Sequence, residues 1–217
     1  AMPDSDLRRQ HIIERMLFMV ELQDENVATL RSNFGANANI AHGDFLEWSP
    51  GRTFHYVVGN PPYNRNGFKK VPTNTFGKKK NDGETIWMSF TKHAISLLEP
   101  NGSLIFVVPA IWMRPDKAKM YHFMTKYKIQ QLKCLNASET KRAFGGYAQT
   151  PTCYFRLLKR PTDGIVMLGD TPFKLRNRPP IPVFGAEFIN RFVPFVAHYG
   201  AVVVKKTNMP GRGALLS

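Results

Sequence analysis

Cysteine is nearly absent from this sequence, which carries Cys134 and Cys153 in 217 residues. Two thiols make neither a metal-ligand cluster nor a disulfide framework, and they read as ordinary core thiols of a reducing compartment. The six histidines are scattered, with no spacing that suits zinc. Long apolar runs are missing too: no stretch approaches the roughly 20 apolar residues of a bilayer-spanning helix. The N-terminus lacks the basic, apolar and small-residue order of a signal peptide. The expectation is an intracellular protein of cytoplasm or nucleoid, with no membrane partner. Acidic residues are also scarce, 16 Asp and Glu against 30 Lys and Arg, for a net charge of +14 and a pI of about 10.0. That excess suits a polyanionic partner, because each phosphate neutralised by Lys or Arg releases condensed counterions. A merely soluble basic protein carries the same charge, so charge alone does not decide. What is plentiful is core material: 43% hydrophobic and 12% aromatic residues suffice for one sizeable domain with a small appendage.

Helical and strand periodicities alternate along the chain, which predicts an α/β domain with a mainly parallel, doubly wound sheet. Asp4 and Ser5 cap a first helix that turns Ile12, Ile13 and Met16 inward. Strands are expected at Leu17–Val20, ending on Glu21, at Asn39–Ala41 and at Phe54–Val58; a helix from Asp24 carries Val27, Leu30 and Phe34. Asn64 to Gly83 is a long polar loop, of a length that is usually functional. A helix from about Glu84 carries Ile86, Phe90, Ala94 and Leu97 on one stripe and stops at Pro100-Asn101-Gly102. Ser103–Val108 reads as a central strand, a helix starts near Pro115, and strands follow at Ile129–Leu135 and Cys153–Leu158. Residues 1–160 make one domain. Beyond it, residues 161–217 form an extension that could begin a recognition or accessory domain, in which Ala186–His198 looks helical.

Asn60-Pro61-Pro62-Tyr63 follows the apolar run Tyr56-Val57-Val58-Gly59 directly. Asn and Pro are ordinary residues of a strand-ending turn. At the C-terminal end of a strand in an open α/β sheet, however, such a turn sits where ligands gather. The Asn60 side-chain oxygen and the Pro61 carbonyl make two neighbouring acceptors, the prolines stiffen the turn, and Tyr63 adds an aromatic face.

With this turn the chain resembles the class I S-adenosylmethionine-dependent DNA adenine-N6 methyltransferases, of the type II restriction-modification kind, from about Arg15 to Arg160. The resemblance implies a Rossmann-like fold and S-adenosylmethionine as cofactor. It also implies that the two acceptors grip both hydrogens of an exocyclic adenine amine while Tyr63 stacks on the extruded base. Asn60 leans towards adenine, since cytosine-N4 enzymes more often place Ser there. Glu21 matches the acid that holds the cofactor ribose hydroxyls, and Asp44 and Phe45 of Gly43-Asp44-Phe45 match the pair that binds the cofactor adenine. Phe144 falls where a second aromatic meets the flipped base, with Tyr147 a near competitor. Arg65, Lys69, Lys70, Lys78, Lys79, Lys80, Lys141 and Arg142 become candidates for phosphate contact, against the ordinary reading of a solvated charge run. Trp87 opens the following helix and faces either the pocket or, as the commoner fate, the core.

One element of that family pattern is missing. A first strand and a glycine-rich turn should precede Glu21 and wrap the methionine end of the cofactor through backbone amides. Residues 3 to 16 contain no glycine. The expectation is a sheet without its first strand, in a fragment or one part of a split enzyme, with another chain or segment completing the cofactor site. Two other readings stand beside DNA adenine methylation. One is a methyltransferase-derived nucleic-acid-binding module that has lost activity. The other is an enzyme with the same turn acting on RNA bases or protein glutamine.

Overall fold

A computed structural model of the chain describes residues 4–65, 84–146, 151–175 and 180–200. Helix α1 (Ser5–His11) starts at Asp4, whose carboxylate accepts from the Asp6 and Leu7 amides. It runs into a π turn over Ile12–Met16, closed by a bond from the Leu17 amide to the Ile12 carbonyl. Strand β1 (Phe18–Glu21), helix α2 (Asp24–Phe34) and strand β2 (Asn39–His42) then make a β-α-β unit in which the two strands pair in parallel. Strand β3 (Phe54–Gly59), helix α3 (Trp87–Ser96) and strand β4 (Leu98–Pro109) make a second parallel unit. A 3-10 turn (Ala110–Met113), helix α4 (Met120–Met124), strand β5 (Tyr127–Leu135) and helix α5 (Ala137–Ala143) follow. Strands β6 (Thr152–Pro161), β7 (Ile165–Leu168) and β8 (Thr171–Lys174) and helix α6 (Ala186–Tyr199) complete the described chain.

The strands form two sheets, β1-β2 and β3-β4-β6-β5-β7-β8. The α/β expectation holds. Parallel pairing occurs at β1–β2, β3–β4 and β5–β7, whereas β6 inserts antiparallel between β4 and β5. No described backbone ladder joins β1 to β3, so the described strands make two separate sheets. The exposure follows: Tyr56 and Val58 on β3 are 59% and 70% exposed.

The same opening corrects the reading of the first helix. Ile12 and Met16 are exposed and Ile13 is half-buried, because the π turn rotates them out of helical register and no described layer covers that face. Helix α3 begins at Trp87 because residues 84–86 are held by the turn after β3. Its buried side is Trp87, Thr91, Ala94 and Ile95, while Phe90 and Leu97 lie half-buried beside it. Helix α4 starts at Met120, after Lys119 in the left-handed region, rather than near Pro115.

The core lies on the larger sheet, with Trp87, Trp112, Tyr121 and Phe155 among its fully buried side chains. Each large apolar side chain buried in this way contributes about 1.5–3 kcal/mol. Cys134 and Cys153, opposite one another across β5 and β6, are buried free thiols; Trp112 Nε1 donates to Cys153 Sγ at 3.3 Å. Lys128, on β5, is buried and donates to both Asp163 oxygens at 2.8 and 2.7 Å, which holds the Asp163 carboxyl below the usual carboxylate range. Lys159 caps the end of α3 by donating to the Ser96 and Leu98 carbonyls. Among the described residues no helix is long and apolar enough to cross a membrane.

Strand β4 starts earlier than its sequence suggests and passes through Asn101 at φ 63° and the bulge opposite Phe54/Tyr56. Gly102 makes that bulge possible, since a Cβ there would lie 2.9 Å from the Glu99 carbonyl oxygen and 3.0 Å from that of Phe54. Gly102→Ala is therefore expected to destabilise the fold by about 1–3 kcal/mol, the usual cost of overpacking, read as a lower midpoint in urea denaturation.

Candidate functional site

Asn60 directly follows the last residue of β3. The strand reaches it by pairing Val57, Val58 and Gly59 with Leu104, Ile105 and Phe106. A Cβ on Gly59 would sit 3.2 Å from the Phe106 ring, so glycine lets the strand end lie flat on that ring. Pro61 is buried behind the turn and Asn60 is exposed in front of it. The Asn60 side chain makes no hydrogen bond with any described residue. The turn thus presents a free amide oxygen from a seat that packing holds rigid.

Tyr63 is half-buried and packs on the main core. Its hydroxyl is buried without a partner among the described residues. Burial, and secondarily Cys153 nearby, push that phenol up from 10.0 to about 12, so it stays protonated at any working pH. The chain beyond it is clasped at both strands of the loop base. The Ile86 amide donates to the Tyr63 carbonyl at 3.1 Å, Asn64 bridges Thr85, and Arg65 Nε meets Glu84 Oε2 at 2.7 Å. Arg65, a candidate phosphate contact, is thus already paired. Lys69, Lys70, Lys78, Lys79 and Lys80 lie outside the described residues, as does Tyr147.

Two carboxylates stand at the ends of the smaller sheet. Glu21 closes β1, and its Oε1 accepts from the Leu22 and Gln23 amides at 2.8 and 2.9 Å. These bonds lock the rotamer, and its second oxygen has no partner among the described residues. Its backbone carbonyl accepts from the Gly43 amide at 2.9 Å, tying the ends of β1 and β2 together. Asp44 Oδ1 accepts from the Leu46 amide at 2.8 Å. Phe45 stacks on Phe90 with centroids 5.4 Å apart and meets the edge of His93 at 4.9 Å, so α3 fixes its orientation. His93 Nε2 also lies 3.1 Å from the Trp48 carbonyl. Through α3 the turn after β2 and the turn after β3 share one support.

Phe144 caps α5, half-buried, and stacks on no other described ring. Lys141 and Arg142 are exposed on the last turn of the same helix. Trp87 is core, 1% exposed. Two contributors have no local signal in the sequence: Glu84 as the partner of Arg65 and His93 as the link to Trp48. Both are contacts between distant segments, without a local motif.

Glu21 and Asp44 each keep one carboxylate oxygen without a partner among the described residues, a donor set compatible with hydroxyls or an amine of a nucleoside. Nothing among the described residues offers the run of backbone amides that a carboxylate-bearing methionine end would need.

Tyr63 and Cys134 tie stability to alkaline pH. Burial raises the Cys134 thiol from 9.0 to about 11, as it raises Tyr63 from 10.0 to about 12. Folding favours the protonated forms, so their contribution is complete below the ordinary values and is lost as pH rises through the folded ones. The thermal midpoint is expected to be insensitive to these groups below about pH 8 and to fall from pH 9 towards 12, with a shallower fall in Tyr63→Phe, as measured by circular dichroism melts.

The Eco57I restriction-modification methylase family model matches residues 7–140. The chain is 33% identical over 88 residues to a type II methyltransferase of Thermus thermophilus, covering 34% of this chain and 20% of that protein. It is 34% identical over 95 residues to the modification methylase CviBIII of Paramecium bursaria Chlorella virus NC1A, covering 42% and 24%. The crystal structure of the M protein of the type I restriction enzyme EcoKI superposes with a TM-score of 0.50 at 20% identity, over 91% of this chain and 43% of that one. The chain thus spans about a fifth to a quarter of the length of the curated relatives it matches. With the family model matched over more than half of the sequence and the α/β order in place, the chain belongs to the Eco57I restriction-modification methylase family and has the class I methyltransferase fold.

Proposed function

We propose that these residues carry the base-gripping part of an enzyme that methylates the exocyclic N6 amine of adenine in DNA. The observation that carries the reading is Asn60: exposed, without a partner among the described residues, and seated on buried Pro61 at the end of β3. The adenine amine is a weak nucleophile because its lone pair is delocalised into the ring. Asn60 Oδ1 and the Pro61 carbonyl accept its two hydrogens and draw the nitrogen towards a tetrahedral shape. Their positions are set before the base arrives, so no reorganisation is needed at the moment of reaction. Tyr63, neutral throughout, and Phe144 are assigned to the faces of the extruded base.

S-adenosylmethionine would supply the methyl group from its sulfonium. Glu21 is assigned to its ribose, and Asp44 and Phe45 to its adenine. A segment from another chain, or from elsewhere in a longer one, is assigned to the methionine end. Exposed Lys141 and Arg142, with Lys69, Lys70, Lys78, Lys79 and Lys80 of the long loop, are assigned to phosphates, in keeping with the net charge of +14.

The test is nucleoside mass spectrometry on an adenine-containing duplex after incubation with S-adenosylmethionine, beside calorimetry with S-adenosylhomocysteine. N6-methyladenine is expected once the segment assigned to the methionine end is supplied. Asn60→Ala should lower turnover at least about 100-fold, the scale of losing one preorganised hydrogen-bonding group, with cofactor affinity unchanged. Appearance of N4-methylcytosine instead would reassign the target. Tight, salt-sensitive DNA binding by the chain alone with no affinity for S-adenosylhomocysteine would sink the claim that this chain by itself is an active enzyme, in favour of a binding module.

A further inference from the structure

We infer that the outward face of helix α6 is a dimer interface, which pairs antiparallel with the same helix of a second copy of this chain. A helix lying on a sheet normally turns its apolar stripe inward. This one is mounted the other way round. Toward the sheet it offers buried Ala186 and Asn190, whose Nδ2 donates to the Pro172 carbonyl on β8 at 2.8 Å. Outward, Phe188, Phe192, Phe195 and Tyr199 repeat at intervals of four, three and four residues, the spacing of a helix-pairing seam. All four are between 57% and 79% exposed. Exposed Ile189, Val193 and Val196 widen the seam along one flank, and the other flank carries exposed Glu187, Arg191 and His198. On a helix of about 3.6 residues per turn the seven apolar side chains fill one unbroken arc of about 160°.

Size and charge select a second copy as the occupant. An aromatic side chain offers about 150–250 Å² for burial, so the four rings leave roughly 400–600 Å² open. With the three aliphatic side chains the face approaches the roughly 800 Å² per partner of a stable interface. Nucleic acid does not suit it, because the seven side chains include no cation to meet a phosphate. A membrane surface does not suit it either. Helices that lie in a bilayer interface carry Lys and Arg around their polar side, and here that side is docked on β8. Helix α6 holds one Glu, one Arg and one His, so little of the net charge of +14 is carried to the interface. In an antiparallel two-fold pair like flanks meet, aliphatic with aliphatic and charged with charged in reverse order. Glu187, at the start of the helix, then stands beside the partner's His198, at its end, and the two helix dipoles run head to tail. A parallel pair would set Arg191 and His198 against the aliphatic flank. Strand β8 is at the opposite edge of the larger sheet from β3, so the turn that carries Asn60 stays uncovered.

Sedimentation velocity on the 217-residue chain tests it, at about 1–100 µM, where an interface of this size associates. The expected species has twice the 24.7 kDa mass of one copy. Phe192→Glu, at an exposed position that the single copy tolerates, should weaken dimerisation about 30-fold or more, the scale of losing a central aromatic anchor, with an unchanged circular dichroism spectrum. Orientation is read by cross-linking through introduced thiols, since Cys134 and Cys153 are buried. An antiparallel pair sets Phe188 of one copy opposite the partner's Tyr199. The double variant Phe188→Cys/Tyr199→Cys should therefore join two copies under mild oxidation, whereas Phe188→Cys alone should not. A chain that stays monomeric throughout overturns the dimer, and capture of that monomer by anionic phospholipid vesicles assigns the face to a membrane instead. A dimer unaffected by Phe192→Glu overturns the choice of face. Cross-linking of Phe188→Cys alone overturns the antiparallel order.

Discussion

The parallel ladder between β3 and β4 is the constraint on which the rest of the site depends. It carries the chain over the Phe106 ring at Gly59, buries Pro61, and leaves Asn60 as the first residue beyond the strand that faces outward. Ring and prolines together remove the freedom a turn would otherwise keep. The Asn60 side chain is exposed and makes no hydrogen bond with any described residue. Its acceptor is therefore left free for a ligand.

Helix α3 transmits the same constraint to the smaller sheet. It opens beside the Tyr63 carbonyl through the Ile86 amide, and further along it holds Phe45 and the Trp48 carbonyl through Phe90 and His93. The turn after β3 and the turn after β2 are in this way fastened to one rod, although no backbone ladder joins their sheets. Glu21 and Asp44 add local order: each commits one carboxylate oxygen to nearby backbone amides and keeps the other. An oxygen so oriented offers a ligand a fixed direction, and the entropy of ordering the side chain is already spent.

Much of this was legible in the sequence. The order of strands and helices follows from periodicity, and the Asn60–Tyr63 turn, Glu21 and Gly43-Asp44-Phe45 are local signals whose chemistry is carried by the residues themselves. The absent glycine-rich turn was legible too, as was the exposure it leaves on β3. Other local signals were present and passed over. Asn136 and Glu139 form a capping box that starts α5, and Gly169-Asp170 is a two-residue turn between β7 and β8. The inward helix face at Ile12 and Met16 failed because a helical stripe predicts burial only where a covering layer exists.

What the sequence alone determined is the chemistry: which groups end which strands, and that a rigid pair of acceptors follows an apolar one. Tertiary structure decided the rest. The antiparallel insertion of β6 between β4 and β5, the meeting of Phe18 with Phe54 and the pairing of Arg65 with Glu84 all join residues far apart in the chain. Local propensity is blind to such contacts, because which edges pair, and which stay open, is settled by the packing of side chains on both faces of the assembled sheet.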